Sequence, residues 1–143
     1  MNFSKGAHVA GGTEPVAHRV LVVDDEEAIR ELLADVLEAG GYEVSTASDG
    51  LEALVEARRT HPDVILLDLL MPRMSGWDVL AEIEKDPLLA HVPVIISSVN
   101  ADGMDVGVAL RKPYRMPDLL ATLERVLGAP GDRPVALSSD QAG

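Results

Sequence analysis

Residues 63–80 read DVILLDLLMPRMSGWDVL. Val64 to Leu67 is apolar throughout, which suits a strand covered on both faces. Strands of that kind belong to parallel sheets flanked by helices. The apolar run stops at Asp68. A loop with Met71 and Pro72 follows, and then a helix from Gly76 or Trp77 to about Lys85, with Val79, Leu80 and Ile83 on its buried face.

The same alternation extends in both directions. Upstream, Arg19–Val23 (RVLVV) is a strand, and a helix runs from about Glu26 to Ala39. Its apolar residues Ile29, Leu32, Leu33, Val36 and Leu37 fall at helical spacing, and Gly40-Gly41 ends it. A second strand covers about Tyr42 to Thr46, and Asp49 caps a helix through Arg59. Downstream come strands at Val92–Ser97 and about Val106–Arg111. The last helix, Pro117–Leu127, has proline in its first turn. Five strands alternating with helices predict an α/β fold, a doubly wound parallel sheet with helices on both faces.

This pattern fills residues 19–128. Residues 1–18 and 129–143 carry Gly, Pro and small polar residues without periodicity and read as flexible tails. The chain of 143 residues suits one domain, and its 47% hydrophobic content suits a sizeable core. Only 3% of residues are aromatic, so that core is aliphatic. A net charge of −12 argues against a nucleic-acid partner and against binding to anionic membranes. Cysteine is absent, which excludes disulfides and thiolate chemistry. No apolar run approaches the roughly 20 residues of a membrane span, so no membrane insertion is expected. The N-terminal stretch shows no signal-peptide pattern. The four histidines are scattered at spacings that suit no metal site, and no dinucleotide or P-loop glycine motif occurs.

The chemistry-bearing residues stand at strand ends. Asp24-Asp25 follows the first strand and Asp68 the third; Ser97-Ser98 closes the fourth and Lys112-Pro113 the fifth. Open parallel sheets bind ligands at the carboxyl edge of their strands, so these groups should converge. Each has a bland reading. Asp24-Asp25 could cap a helix, Asp68 could be a turn residue, and Ser98 and Lys112 could be ordinary surface groups. The coincidence of all of them at one edge speaks for a site. Crowded carboxylates repel one another, and a hard divalent ion relieves this. A carboxylate nucleophile, a metal, an ammonium and a hydroxyl are what phosphoryl transfer onto aspartate needs.

At these residues the sequence resembles the receiver domain of two-component response regulators. The motifs are VLVVDDEEAIRELL (20–33), DVILLDLLMPRMSGWDVL (63–80), VPVIISS (92–98) and RKP (111–113). The resemblance implies a flavodoxin-like fold with strand order 2-1-3-4-5. It implies a single-domain regulator in the cytoplasm that takes a phosphoryl group on Asp68 and signals through protein–protein contacts, with no turnover of a separate substrate. The donor would be a sensor histidine kinase or a histidine phosphotransfer protein, and the downstream partner a protein. The resemblance assigns Mg²⁺, with Mn²⁺ as a substitute, to Asp24, Asp25, Asp68 and the backbone carbonyl of Leu70. It makes Ser98 the switch hydroxyl and Lys112 the partner of the phosphoryl oxygens, and it implies a cis Lys112-Pro113 peptide.

Two departures stand out. Ser98 and Lys112 are only 14 positions apart, and the intervening VNADGMDVGVALR is broken by Asp102-Gly103 and Gly107. The fourth helix of the family is therefore expected to be shortened or missing. The family's switch aromatic falls three residues before the lysine, where this chain has Ala109. Both departures favour an alternative, a pseudo-receiver that binds partners without a phosphate switch; the complete set Asp24, Asp25, Asp68, Ser98 and Lys112 speaks against it. A hydrolase of the haloacid-dehalogenase type would need an acid two positions after Asp68, where Leu70 stands.

Overall fold

The computed structural model describes residues 17–71, 73–99 and 108–128. They form β1 (Arg19–Val23), α1 (Glu27–Ala39), β2 (Glu43–Ala47), α2 (Gly50–Thr60), β3 (Val64–Asp68), α3 (Gly76–Lys85), β4 (Val94–Ser98), β5 (Val108–Arg111) and α4 (Met116–Leu127). The strands make one parallel sheet in the order β2-β1-β3-β4-β5. The doubly wound reading and its strand order hold. The tail expectations for residues 1–18 and 129–143 fall outside the described residues except at Ala17 and His18, and there His18 departs from a tail: it is buried and its carbonyl accepts from the Glu43 N–H. The shortened or missing fourth helix, expected between Ser98 and Lys112, falls for the most part outside them too, although the strand bounds leave only residues 99–107 to connect β4 to β5.

Side chains alternate across each strand, and the sheet separates two cores. On one face, Leu21, Val23, Ile65, Leu67 and Ile96 pack with Ala53, Leu54 and Ala57 of α2 and Val79 and Ile83 of α3. On the other, Val20, Val22, Val64, Leu66 and Ile95 pack with Leu33 and Leu37 of α1 and Leu119 and Leu123 of α4. The same two-residue period carries Val22 on to Asp24, Leu66 on to Asp68 and Leu110 on to Lys112. All three charged residues are thus delivered to the strand ends on the α1–α4 side, Asp68 as the last residue of β3 and Asp24 and Lys112 one residue past theirs.

Helix starts and stops have local causes. The Asp49 side chain accepts from the Glu52 N–H at 2.9 Å and caps α2. Ser75 and Asp78 form a capping box on α3. Strand ends differ from the sequence expectation by one or two residues. The Tyr42 N–H bonds the Leu37 carbonyl and the Val92 N–H bonds the Leu89 carbonyl, so both residues close turns before their strands begin.

Candidate phosphoacceptor site

Asp24 and Asp68 are buried and Asp25 is exposed. Each offers a carboxylate oxygen within 4.8 Å of the other two. The Lys112 ammonium lies between two of them, with its Nζ 3.4 Å from Asp24 Oδ2 and 3.6 Å from Asp68 Oδ1. Its backbone N–H donates to the Ser98 carbonyl at 2.8 Å, extending the β4–β5 ladder one residue past the strand. The Lys112-Pro113 peptide is cis.

The two buried carboxylates are held by backbone N–H groups. Asp24 Oδ1 accepts from the Glu26 N–H at 3.0 Å, so Asp24 also shapes the entry into α1. Neither Asp24 nor Asp25 caps α1: Glu26 occupies the cap position without a side-chain cap bond, and Asp24 instead shapes the turn that leads into it. Asp68 Oδ1 accepts from the Leu70 N–H at 3.1 Å. The loop after β3 then folds back so tightly that a Cβ on Gly76 would stand 2.6 Å from the Asp68 carbonyl oxygen. Ser98 is buried at the last position of β4.

The electrostatics follow from burial and crowding. Burial raises the Asp68 carboxyl above the usual aspartate range, and the neighbouring charges of Asp24 and Asp25 push the same way. The Leu70 N–H and the Lys112 ammonium oppose this without cancelling it. Burial works against the Lys112 charge, but Asp24 and Asp68 outweigh it and hold the ammonium above its ordinary range.

A divalent ion fits this donor set. The donors are all carboxylate oxygens, they lie within 4.8 Å of one another, and one of them is destabilised as an anion. Magnesium takes oxygen ligands at about 2.1 Å and shares them readily with phosphate.

Two groups at the cleft escaped the sequence reading, Arg30 and Tyr114, whereas Ser97 belongs to the strand-end pair read above. The Arg30 guanidinium donates to the Asp24 carbonyl at 2.8 Å. Ser97, the sheet partner of Asp68, is buried, and the Tyr114 ring, two positions after Lys112, packs against the α1–α4 core. Ser97 follows Ile95 by two positions, so the strand period puts it on the α1–α4 side; Tyr114 lies past the end of β5, where that period no longer applies. Nothing in the sequence points to Arg30.

A parallel α/β sheet with an acidic cleft and an ammonium at its carboxyl edge makes a site suited to a divalent ion and a phosphoryl group. Comparison with known proteins agrees. Residues 20–124 match the response regulator receiver domain, and the chain belongs to that family. The family is a signalling module and not a turnover enzyme. The DNA-binding response regulator MtrA of Mycobacterium tuberculosis is 31% identical over 134 residues, covering 88% of this chain and 58% of its own. This chain thus spans little more than half of that relative. Among solved structures, the chemotaxis protein CheY4 of Vibrio cholerae is 32% identical with a TM-score of 0.74, covering 78% of this chain and 100% of its own. The receiver domain of the sensor histidine kinase PA1611 of Pseudomonas aeruginosa is 28% identical with a TM-score of 0.71, over 80% of this chain and 100% of its own. It holds a magnesium ion in its active-site cleft. Among the described residues, no helix is long and apolar enough to cross a membrane.

Proposed function

We propose that Asp68 accepts a phosphoryl group from the phosphohistidine of a sensor histidine kinase or histidine phosphotransfer protein, in a Mg²⁺-dependent reaction in the cytoplasm. The observation that carries this reading is the juxtaposition of three carboxylates within 4.8 Å with an ammonium 3.6 Å from Asp68. A carboxylate oxygen of Asp68 forms the new bond to phosphorus. The phosphorus–nitrogen bond of the donor breaks, and its electron pair returns to the imidazole, which takes a proton from solvent. Asp24, Asp25, Asp68 and the Leu70 carbonyl would hold the metal, with Mn²⁺ as a substitute. Bound there, the ion supplies positive charge to the phosphoryl oxygens. Lys112 pairs with those oxygens as they gain charge, and Ser98 offers a hydroxyl from the end of β4. The modified protein then signals by protein–protein contact, without nucleic-acid binding of its own.

Ala109 favours a second reading, a partner-binding module with no phosphate switch. Incubation with acetyl phosphate and Mg²⁺, followed by intact mass, separates the two. The expected result is a gain of one phosphoryl group that needs Mg²⁺ and is lost in Asp68→Asn. An unchanged mass in the folded wild-type protein supports the second reading instead.

A further inference from the structure

The turn from β1 into α1 carries two of the three carboxylates. Asp24 and Asp68 are buried, and each accepts a backbone N–H, from Glu26 at 3.0 Å and from Leu70 at 3.1 Å. Asp25 is exposed, so its carboxylate is aimed by the backbone that carries it. That backbone is pinned on both sides of Asp24. The Asp24 N–H donates to the Ala47 carbonyl at the end of β2, at 3.2 Å, and the Asp24 carbonyl accepts from the Arg30 guanidinium at 2.8 Å. The second bond falls on the peptide that joins Asp24 to Asp25. A peptide unit is planar, so holding its C=O sets the plane in which the Cα of Asp25 lies. Arg30 is itself rooted, since its own N–H closes the first turn of α1 on the Glu26 carbonyl at 3.0 Å. Its side chain lines a recess of about 260 Å³ with Glu27, Glu31, Ala34 and Thr46.

We propose that Arg30 is a positioning residue for the metal: by holding the Asp24–Asp25 peptide it sets the Asp25 carboxylate against those of Asp24 and Asp68. The inference rests on the Mg²⁺ reading of the cleft and names what steadies its exposed ligand. Magnesium demands near-octahedral geometry with oxygens at about 2.1 Å, so a ligand that wanders costs affinity. Arg30 has two effects on such an ion, and they have opposite signs. Its positive charge repels the ion, whereas its hydrogen bond gathers the ligands. Glu27 and Glu31 line the same recess and offset the charge. A water that solvates the Asp24 carbonyl in place of Arg30 is not anchored to α1 and leaves the peptide free to turn. Positioning therefore outweighs repulsion, and removing this cation should weaken the binding of another.

The test measures Mn²⁺ binding to the full chain through the electron paramagnetic resonance of the free ion, and Mg²⁺ binding by competition. Arg30→Met keeps an unbranched stem and loses both charge and donor. It should bind either ion about tenfold more weakly, which is what one charge-assisted hydrogen bond contributes. In an Asp25→Ala background the same substitution should change the affinity by less than about twofold, because the ligand it places is gone. Phosphorylation by acetyl phosphate should need about tenfold more Mg²⁺ to reach half its maximal rate, with the rate at saturating Mg²⁺ within about twofold of wild type. Under the same saturation, beryllofluoride, a stand-in for the phosphoryl group, should shift the Ser98 and Lys112 amide resonances as it does in the wild type. A folded wild type that binds neither ion overturns the Mg²⁺-dependent function proposed above, and this inference with it. A wild type that binds metal while Arg30→Met binds it as well or better overturns the inference alone. So does a loss that persists in the Asp25→Ala background, or a saturated rate or amide response that falls while the metal requirement stays put. If Arg30→Met fails to fold, Arg30→Gln, also neutral and shorter, decides by the same readings.

Discussion

Asp68 stands where its own charge is costly. Burial and two acidic neighbours raise its carboxyl, and a single ammonium offsets only part of that. Asp68→Asn keeps the shape and removes the repulsion. In metal-free buffer it should raise the melting temperature by about 4 °C, corresponding to about 1 kcal/mol. Mg²⁺ should then stabilise the wild type by mass action and stabilise the variant much less. Calorimetry with and without Mg²⁺ checks both. A variant that melts below the wild type in the absence of metal contradicts the crowding. Lys112→Ala tests the division of labour: Mg²⁺ affinity should hold or tighten because a competing cation is gone, whereas the response to beryllofluoride should fall. An equal loss of both contradicts separate roles.

The loop from β3 to α3 shows how an element places a functional group. Gly76 opens α3 against the backbone of Asp68 and Leu69, and a Cβ there would meet the Asp68 carbonyl oxygen and the Leu69 Cα, both at 2.6 Å. Neither can yield without moving Asp68. A Cβ on Gly50 would instead meet the flexible end of Met74 and a Val79 methyl, each at 2.8 Å. Gly76→Ala should therefore cost more melting temperature than Gly50→Ala and should slow phosphorylation by acetyl phosphate; equal effects on both readouts count against this placement. The α2 cap carries a pH dependence. The Glu52 N–H, first, and the Arg73 charge hold the Asp49 carboxyl below its usual range. A depressed carboxyl contributes stability that is present above its unfolded value near 3.8 and is lost as pH falls through the folded value. Asp49→Ala should cost about 1 kcal/mol near neutral pH. The gap to wild type should narrow below about pH 4. A gap that does not change with pH assigns the effect to something other than the cap charge.

At the level of the whole molecule, the sequence revealed most of what its own periodicities encode. The all-apolar run Val64–Leu67 and the helical spacing of Leu33 and Leu37 identified layers that the two cores reproduce. The carboxylates were readable because strand ends mark one edge of a parallel sheet. What escaped depends on contacts between distant segments. Arg30 reaches the Asp24 carbonyl from one turn into α1, and Tyr114 joins the α1–α4 core from beyond the cis Lys112-Pro113 peptide; neither contact has a sequence spacing that announces it. Strand starts were misjudged for a related reason, since Tyr42 and Val92 look like strand residues but spend their N–H groups on turn carbonyls. The chemistry itself has a simple test in reductive trapping. Borohydride converts an aspartyl phosphate to homoserine, and peptide mapping then locates it. After acetyl phosphate and Mg²⁺, homoserine should be found at position 68 alone and should vanish when the metal is chelated. Homoserine at another acidic residue, or at none while the protein remains folded, would contradict the assignment of Asp68 as the phosphoacceptor.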